Sequence, residues 1–278
     1  MLRKLGPQTL GRWAHSWYGQ LWLKKVAEVQ FSFGSSVIKV NVADKTALLA
    51  AVRARLQAGT GFALATINLD HLVKLHRSDS FRRAYRAHDL IVADGNPIVW
   101  LSRLAGRRLD LVPGSDMVAP LAQVAAECGR PIALVGSTEG ALDGAAARLL
   151  RDIPGLQVAL IRAPAMGFDP EGAAARQLLH DLAAQKVGLC FIALGAPKQE
   201  VFAALGRQIA PEVGFASIGA GLDFIAGTQE RAPVWVRKLA LEWLWRALSS
   251  PRRMVPRYAA CAAILPLEIA AAVRLRRH

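Results

Sequence analysis

Between residues 37 and 218, short apolar runs alternate with longer helix-patterned segments, and many of the runs end at Gly, Asp or Asn just before the next helix. This rhythm constrains the chain more than any other feature. Strands are expected at 37–42, 62–67, 90–93, 131–135, 158–162, 187–194 and 215–218. Helices are expected at 45–58, 70–77, 80–88, 97–105, 115–128, 139–152, 171–185 and 198–210. Strands that are apolar on both faces must be covered on both faces, which predicts an α/β fold: a Rossmann-like, mostly parallel sheet with helices on both sides. In such sheets ligands bind outside the carboxyl ends of the strands.

The two ends of the chain break the rhythm. Residues 1–34 form a leader in which Trp13, Trp17, Tyr18 and Trp22 recur at helical spacing among Arg and Lys. Such a stripe suits a membrane–water boundary or packing against the core, and the sequence leaves both open. Residues 35–228 hold the α/β domain. Residues 229–278 read as a basic appendage of two or three helices separated by Pro251, Pro256 and Pro266. Of the net charge of +14, most sits at the ends: residues 237–278 carry nine Lys or Arg against Glu242 and Glu268. A basic tail interleaved with Trp and Leu points to an anionic lipid surface or nucleic acid, with a merely solvated face as the alternative. The near-neutral middle speaks against nucleic acid. The apolar stretch 258–273 is broken by Pro266 and Glu268. It reads as too short to span a bilayer and suited to lying in the interface. The N-terminus lacks the uninterrupted apolar core of a signal peptide.

Polar residues and glycines collect at the expected strand ends. Thr66 and Asn68 follow one strand, Asp94-Gly95 another, Gly136 a third and Gly195-Ala-Pro-Lys198-Gln199-Glu200 a fourth. Gly219, Gly221 and Asp223 follow the last. Glycine at a strand-to-helix turn lets a phosphate approach backbone N–H groups, although such turns also use glycine for purely structural reasons. Asp94, desolvated on one side, suits a general base; its competing role is the N-cap of the helix near Pro97. Neither GxGxxG after the first strand nor GxxxxGK[ST] is present, which argues against a dinucleotide dehydrogenase and a P-loop NTPase. No Asp-x-Asp clamp, HExxH or paired Cys/His spacing suggests a metal, and no cofactor is expected. Without a metal, a leaving diphosphate needs backbone dipoles or cations, of which Lys198, Arg231 and the C-terminal arginines are available. Cys128, Cys190 and Cys261 are widely spaced and read as reduced.

Taken in order, these motifs resemble the WecG/TagA/CpsF family of bacterial glycosyltransferases. The resemblance rests on Thr66-x-Asn68, Ala93-Asp94-Gly95, Gly114-x-Asp116, Gly136, Met166-Gly-Phe168 and Gly195-x-Pro-Lys-Gln-Glu200. It continues through Gly219-x-Gly-x-Asp223, Arg231-Ala-Pro233, Glu242-Trp-x-x-Arg246, Pro251-x-Arg253 and Arg257-Tyr258. It implies inverting, metal-independent transfer from a UDP-sugar, a substrate rather than a cofactor, to a polyprenyl-diphosphate-linked saccharide in cell-surface or exopolysaccharide biosynthesis. Carried over by position, Asp94 would be the base, with Thr66 and Gln199 as active-site polar groups. Asn68 joins them from its place on the same strand end. The Gly219/Gly221 loop and Asp223 would hold the nucleotide, alongside Gly136, Gly195 and Lys198. Arg231, Arg246, Arg253 and Arg257 would face the acceptor, its diphosphate and the membrane.

One departure stands out: Leu111 occupies a position where many relatives carry Arg. Together with the N-terminal extension, it looks closer to exopolysaccharide members of the family than to teichoic-acid ones. The expected setting is peripheral, on the cytoplasmic face of the inner membrane, with self-association left open. The rival readings are a UDP-sugar-binding protein of another class or a non-catalytic membrane scaffold. The first lacks its glycine fingerprint; the density of polar strand ends opposes the second.

Overall fold

The computed structural model describes residues 28–229, 233, 236 and 242–277. An antiparallel hairpin of β1 (Val29–Phe33) and β2 (Ser36–Val40) opens the described chain, spanning the expected boundary at 34/35. Then follow α1 (Lys45–Ala58), β3 (Phe62–Ile67), α2 (Leu69–Arg77), α3 (Asp79–Arg86), β4 (Leu90–Ala93), α4 (Asn96–Leu104) and α5 (Gly114–Glu127). The second half runs β5 (Ile132–Gly136), α6 (Glu139–Asp152), β6 (Val158–Arg162), α7 (Ala173–Ala184), β7 (Leu189–Ala193), α8 (Lys198–Ile209), β8 (Gly214–Ser217) and α9 (Gly221–Ala226). Two further helices, α10 (Glu242–Ser249) and α11 (Pro251–Arg276), form the appendage.

Six strands make one parallel sheet in the order β4-β3-β8-β7-β5-β6, so the expected α/β architecture is found. The expected first strand instead lies in the hairpin, outside this sheet. One face is covered by α1, α5, α6 and α9, whose Leu48, Val52, Leu121, Leu142 and Leu222 pack on Leu64, Val92, Leu134 and Phe191. The other face carries the hairpin with α2, α3 and α4, and beside them α7 and α8. Two-sided burial explains why the strands read as continuous apolar runs rather than alternating ones. From β3 the chain winds outward to β4, and from β5 outward to β6, opening a crevice at the carboxyl ends of the strands between them.

The C-terminal helix departs from expectation. Pro256 and Pro266 lie inside α11 rather than breaking it, and the single 26-residue helix is long and apolar enough to cross a membrane by length and composition. Each proline removes one backbone bond. Tertiary contact offsets that loss: Met254, Cys261, Glu268 and Ala272 are buried where α11 lies along α2 and α4.

Candidate active site

The register of β3 against β4 places Thr66 opposite Val92 and Ile67 opposite Ala93. Asn68 and Asp94 therefore leave the sheet side by side, and Asp94 N–H donates to Ile67 O at 2.8 Å. Gly95 adopts φ +116°, and a Cβ there would lie 3.7 Å from Asn68 Cβ. Gly95 itself occupies the N-cap of α4, with no side-chain cap bond, so Asp94 is not the cap residue of that helix. The capping role falls to Asn68, whose Oδ1 accepts from His71 N at 3.1 Å and starts α2. Thr66 is buried, with its methyl against Gly114: a Cβ on that glycine would come within 3.1 Å of Thr66 Cγ2.

A buried polar layer supports this rim. The Tyr85 hydroxyl donates to Thr66 O at 3.2 Å and lies 2.6 Å from His71 Nδ1. Burial pushes His71 down to about 3, so its imidazole is neutral. Burial also pushes the Tyr85 hydroxyl well up, and the Glu200 and Asp94 carboxylates add to the effect.

The other side of the crevice is built from backbone. Gly136 (φ +113°), Gly195 (φ +71°) and Gly219 (φ +61°) all need the left-handed region, but their side-chain space differs. A Cβ on Gly136 would sit 2.5 Å from Ala193 C and O, and one on Gly221 would sit 2.8 Å from Val118 Cγ2. Those two glycines are demanded by packing. Gly195 and Gly219 have open space where a Cβ would go, as an approaching ligand requires. Ser137 keeps a positive φ of 51° without being glycine, and its hydroxyl donates to Asp223 Oδ1. Gln199 is buried; its Oε1 accepts from Gly219 N at 3.2 Å and its Nε2 donates to Glu200 Oε1 at 2.9 Å. Lys198 opens α8 half-buried in the same turn.

The appendage reaches this region through α2. Arg257 pairs with Asp70 at 2.8 Å, Asp70 with Lys74 at 2.7 Å, and Lys74 Nζ donates to Ala196 O at 3.2 Å. Burial works to raise the Asp70 carboxyl, but Lys74 and Arg257 outweigh it and hold the group below its usual value. Arg257 is thus paired with Asp70, whereas Arg253 is exposed. Arg231, the side chain of Arg246 and the aromatic stripe of residues 1–27 lie outside the described residues. Ser137, Tyr85 and the Asp70–Lys74 pair were not singled out from sequence. Glu200 stood in the motif after Gly195, but without a role of its own.

A carboxylate, a hydroxyl and two open glycine turns are gathered on the carboxyl edge of a parallel sheet, the edge at which open α/β folds bind their ligands. The chain belongs to the WecG/TagA/CpsF family of glycosyl transferases, whose sequence pattern matches residues 35–278. It is 27% identical over 210 residues to an N-acetylglucosaminyldiphosphoundecaprenol N-acetyl-beta-D-mannosaminyltransferase of Bacillus spizizenii, covering 73% of this chain and 79% of that protein. It is 27% identical over 206 residues to the protein of the same name from Bacillus subtilis (strain 168), covering 72% and 78%. The chain is accordingly an enzyme, a glycosyltransferase.

Proposed function

We propose that this glycosyltransferase moves a hexose from a UDP-sugar, with inversion and without a metal, onto a polyprenyl-diphosphate-linked saccharide. The observation that carries the reading is Asp94, half-buried at the end of β4 between the Asn68 turn and Gly95, the N-cap of α4. Its carboxylate takes the proton of the acceptor hydroxyl as that oxygen bonds to the anomeric carbon. The bond from that carbon to the diphosphate oxygen breaks on the opposite face, and UDP leaves with the electron pair. The loop at Gly219 and Asp223 holds the nucleotide, while the open turn at Gly195 and the cation of Lys198 face the diphosphate. The two Bacillus relatives are named for an acceptor of the lipid-diphosphate class.

The protein works at the membrane surface, on the cytoplasmic face where nucleotide sugars are available, with α11 lying in the interface rather than across the bilayer. Supporting this, Glu268 is buried on the inner side of α11 and bonded to His76 Nε2 at 2.8 Å, and Arg257 is held by Asp70. A spanning helix would give up both pairs and carry Glu268 into hydrocarbon. Its outer side exposes Val255, Leu267, Ile269 and Val273, α10 beside it exposes Trp243, Leu244 and Leu248, and arginines lie at both ends of the helix. Apolar side chains flanked by cations suit an anionic leaflet.

The test is to incubate the protein with a panel of UDP-sugars and a short-chain prenyl-diphosphate sugar, with and without EDTA, and weigh the products. One UDP-sugar is expected to add one hexosyl residue equally well in both conditions. No product from any donor would overturn the reading, and activity lost to EDTA and restored by manganese would overturn its metal-free part.

A further inference from the structure

Glu200 is the best-buried carboxyl among the described residues, at 0% exposure, and its Oε2 has no hydrogen-bond partner. An orphan oxygen in a core is destabilising, so its retention calls for a reason. The geometry offers one. A glutamine amide can turn over and present either end, and the neighbour that accepts from Nε2 decides which. Glu200 Oε1 accepts from Gln199 Nε2 at 2.9 Å, which fixes Gln199 Oε1 toward the Gly219 N–H at 3.2 Å. Gly219 has left-handed φ and a Cβ there would meet nothing, so its N–H bond to Gln199 is the side-chain fastening at this point, while Gly221 and Asp223 beyond it are held by Val118 and the Ser137 hydroxyl. Both residues of the pair lie in the first turn of α8, directly after the Gly195 turn. One rigid helix end therefore fastens two loops of the crevice.

We propose that Glu200 is a positioning residue for donor binding: through the Gln199 amide it holds the Gly219–Asp223 loop where the nucleotide is received. The proposal rests on the donor reading above. Glu200 touches no substrate itself. What it supplies is an acceptor at one point, a task that a glutamine side chain can also perform and an apolar one cannot. Burial pushes its carboxyl up to about 7, against the Gln199 amide, its own backbone N–H and, least, Lys74 on α2. The accepting oxygen is present in both protonation states.

The experiment measures UDP affinity by calorimetry, donor KM and kcat by turnover, and thermal unfolding, on the full-length protein. Glu200→Met is expected to weaken UDP binding and raise donor KM about tenfold, with kcat at saturating donor changed much less. Glu200→Gln is expected to stay within about twofold of the wild type. The double variant Gln199→Met/Glu200→Met removes the buried Gln199–Glu200 bond whole and leaves only the Gly219 N–H without its acceptor, so its thermal stability falls by no more than that of Glu200→Met. It should also bind UDP no worse than Glu200→Met alone, because the two residues act as one unit. A purely structural role would move affinity and stability together, and rescue by glutamine would be absent. Glu200→Met binding UDP like the wild type, or Glu200→Gln failing as badly as Glu200→Met, overturns the proposal. A wild-type protein that binds no UDP overturns the donor reading instead, and that result is visible before any variant is compared.

Discussion

The two sides of the crevice are made of different materials. On the β3–β4 side the proposed working groups are side chains, Thr66, Asn68 and Asp94, backed by the His71–Tyr85 pair and by α11 pressing on α2. On the β5–β7–β8 side the proposed groups are mostly backbone turns at Gly195 and Gly219, braced by the packing glycine Gly136, with Gln199 and the Ser137–Asp223 bond as fasteners. A side chain can be replaced and its chemistry lost while the fold stands. A backbone turn is bound to the packing around it, so a change there is felt first in stability or loop position. The difference suits a division of labour in which the first side handles the proton and the acceptor and the second holds the donor.

The sharpest test of that division is Asp94→Asn. It should lower turnover by roughly 100- to 10,000-fold, the usual range for a general base, while UDP binding measured by calorimetry stays unchanged. A variant with near-normal turnover would remove the chemical distinction between the two sides. Next in size is truncation after Arg237. Loss of α11 should leave UDP affinity nearly intact but cut transfer to a lipid-linked acceptor and binding to anionic vesicles by about tenfold or more, since each basic residue near the leaflet contributes about 1 kcal/mol. Normal transfer by the shortened chain would make the appendage a passive anchor.

The glycines separate packing from ligand access on the backbone side. Gly136→Ala meets the Ala193 carbonyl and a positive φ together, and should destabilise by about 2–4 kcal/mol in denaturant unfolding. Gly219→Ala meets only the φ penalty, about 1 kcal/mol, and should show itself mainly in donor KM. Equal losses of stability would mean that the two turns are not different in kind.

A smaller effect concerns pH. The folded-state value of Glu200 is raised to about 7 from 4.5, so the folded chain holds a proton that the unfolded chain has released. Its contribution to stability is complete below about 4.5 and is lost as pH rises through 7. His71 and His88 run the other way. Burial lowers them from 6.5 to about 3 and about 4, so their contribution is present above 6.5 and is lost as pH falls toward those values. The Tm advantage of Glu200→Gln over the wild type should therefore grow from pH 5 to pH 8. A pH-independent difference would show that Glu200 stays in one protonation state over that range.

Several elements were readable before any coordinates. The expected spans 45–58, 62–67, 90–93, 139–152 and 158–162 coincide with α1, β3, β4, α6 and β6, because strand and helix periods and capping residues such as Asp44 and Thr138 act locally. The strand-end residues were readable for a related reason: in a parallel sheet the carboxyl edge is fixed by chain direction. The hairpin was not readable. Pairing of β1 with β2 depends on Phe31, Phe33 and Ile38 finding a face of the neighbouring core, which local pattern does not specify.

What the sequence determined by itself was therefore the layer architecture and the strand ends at which Thr66, Asn68 and Asp94 gather, since each follows from residue type and local period. What only the tertiary structure decided was how those groups are held. Asn68 became a cap, Gly136 and Gly221 proved to be packing glycines, Arg257 was drawn to Asp70, and α11 ran straight through two prolines. Glu200 emerged as the buried partner of Gln199. Each of these depends on which groups meet across tens or hundreds of residues of chain. A hydrogen bond, an ion pair or a missing Cβ has its energetic value only from the neighbour that the fold brings within a few ångströms.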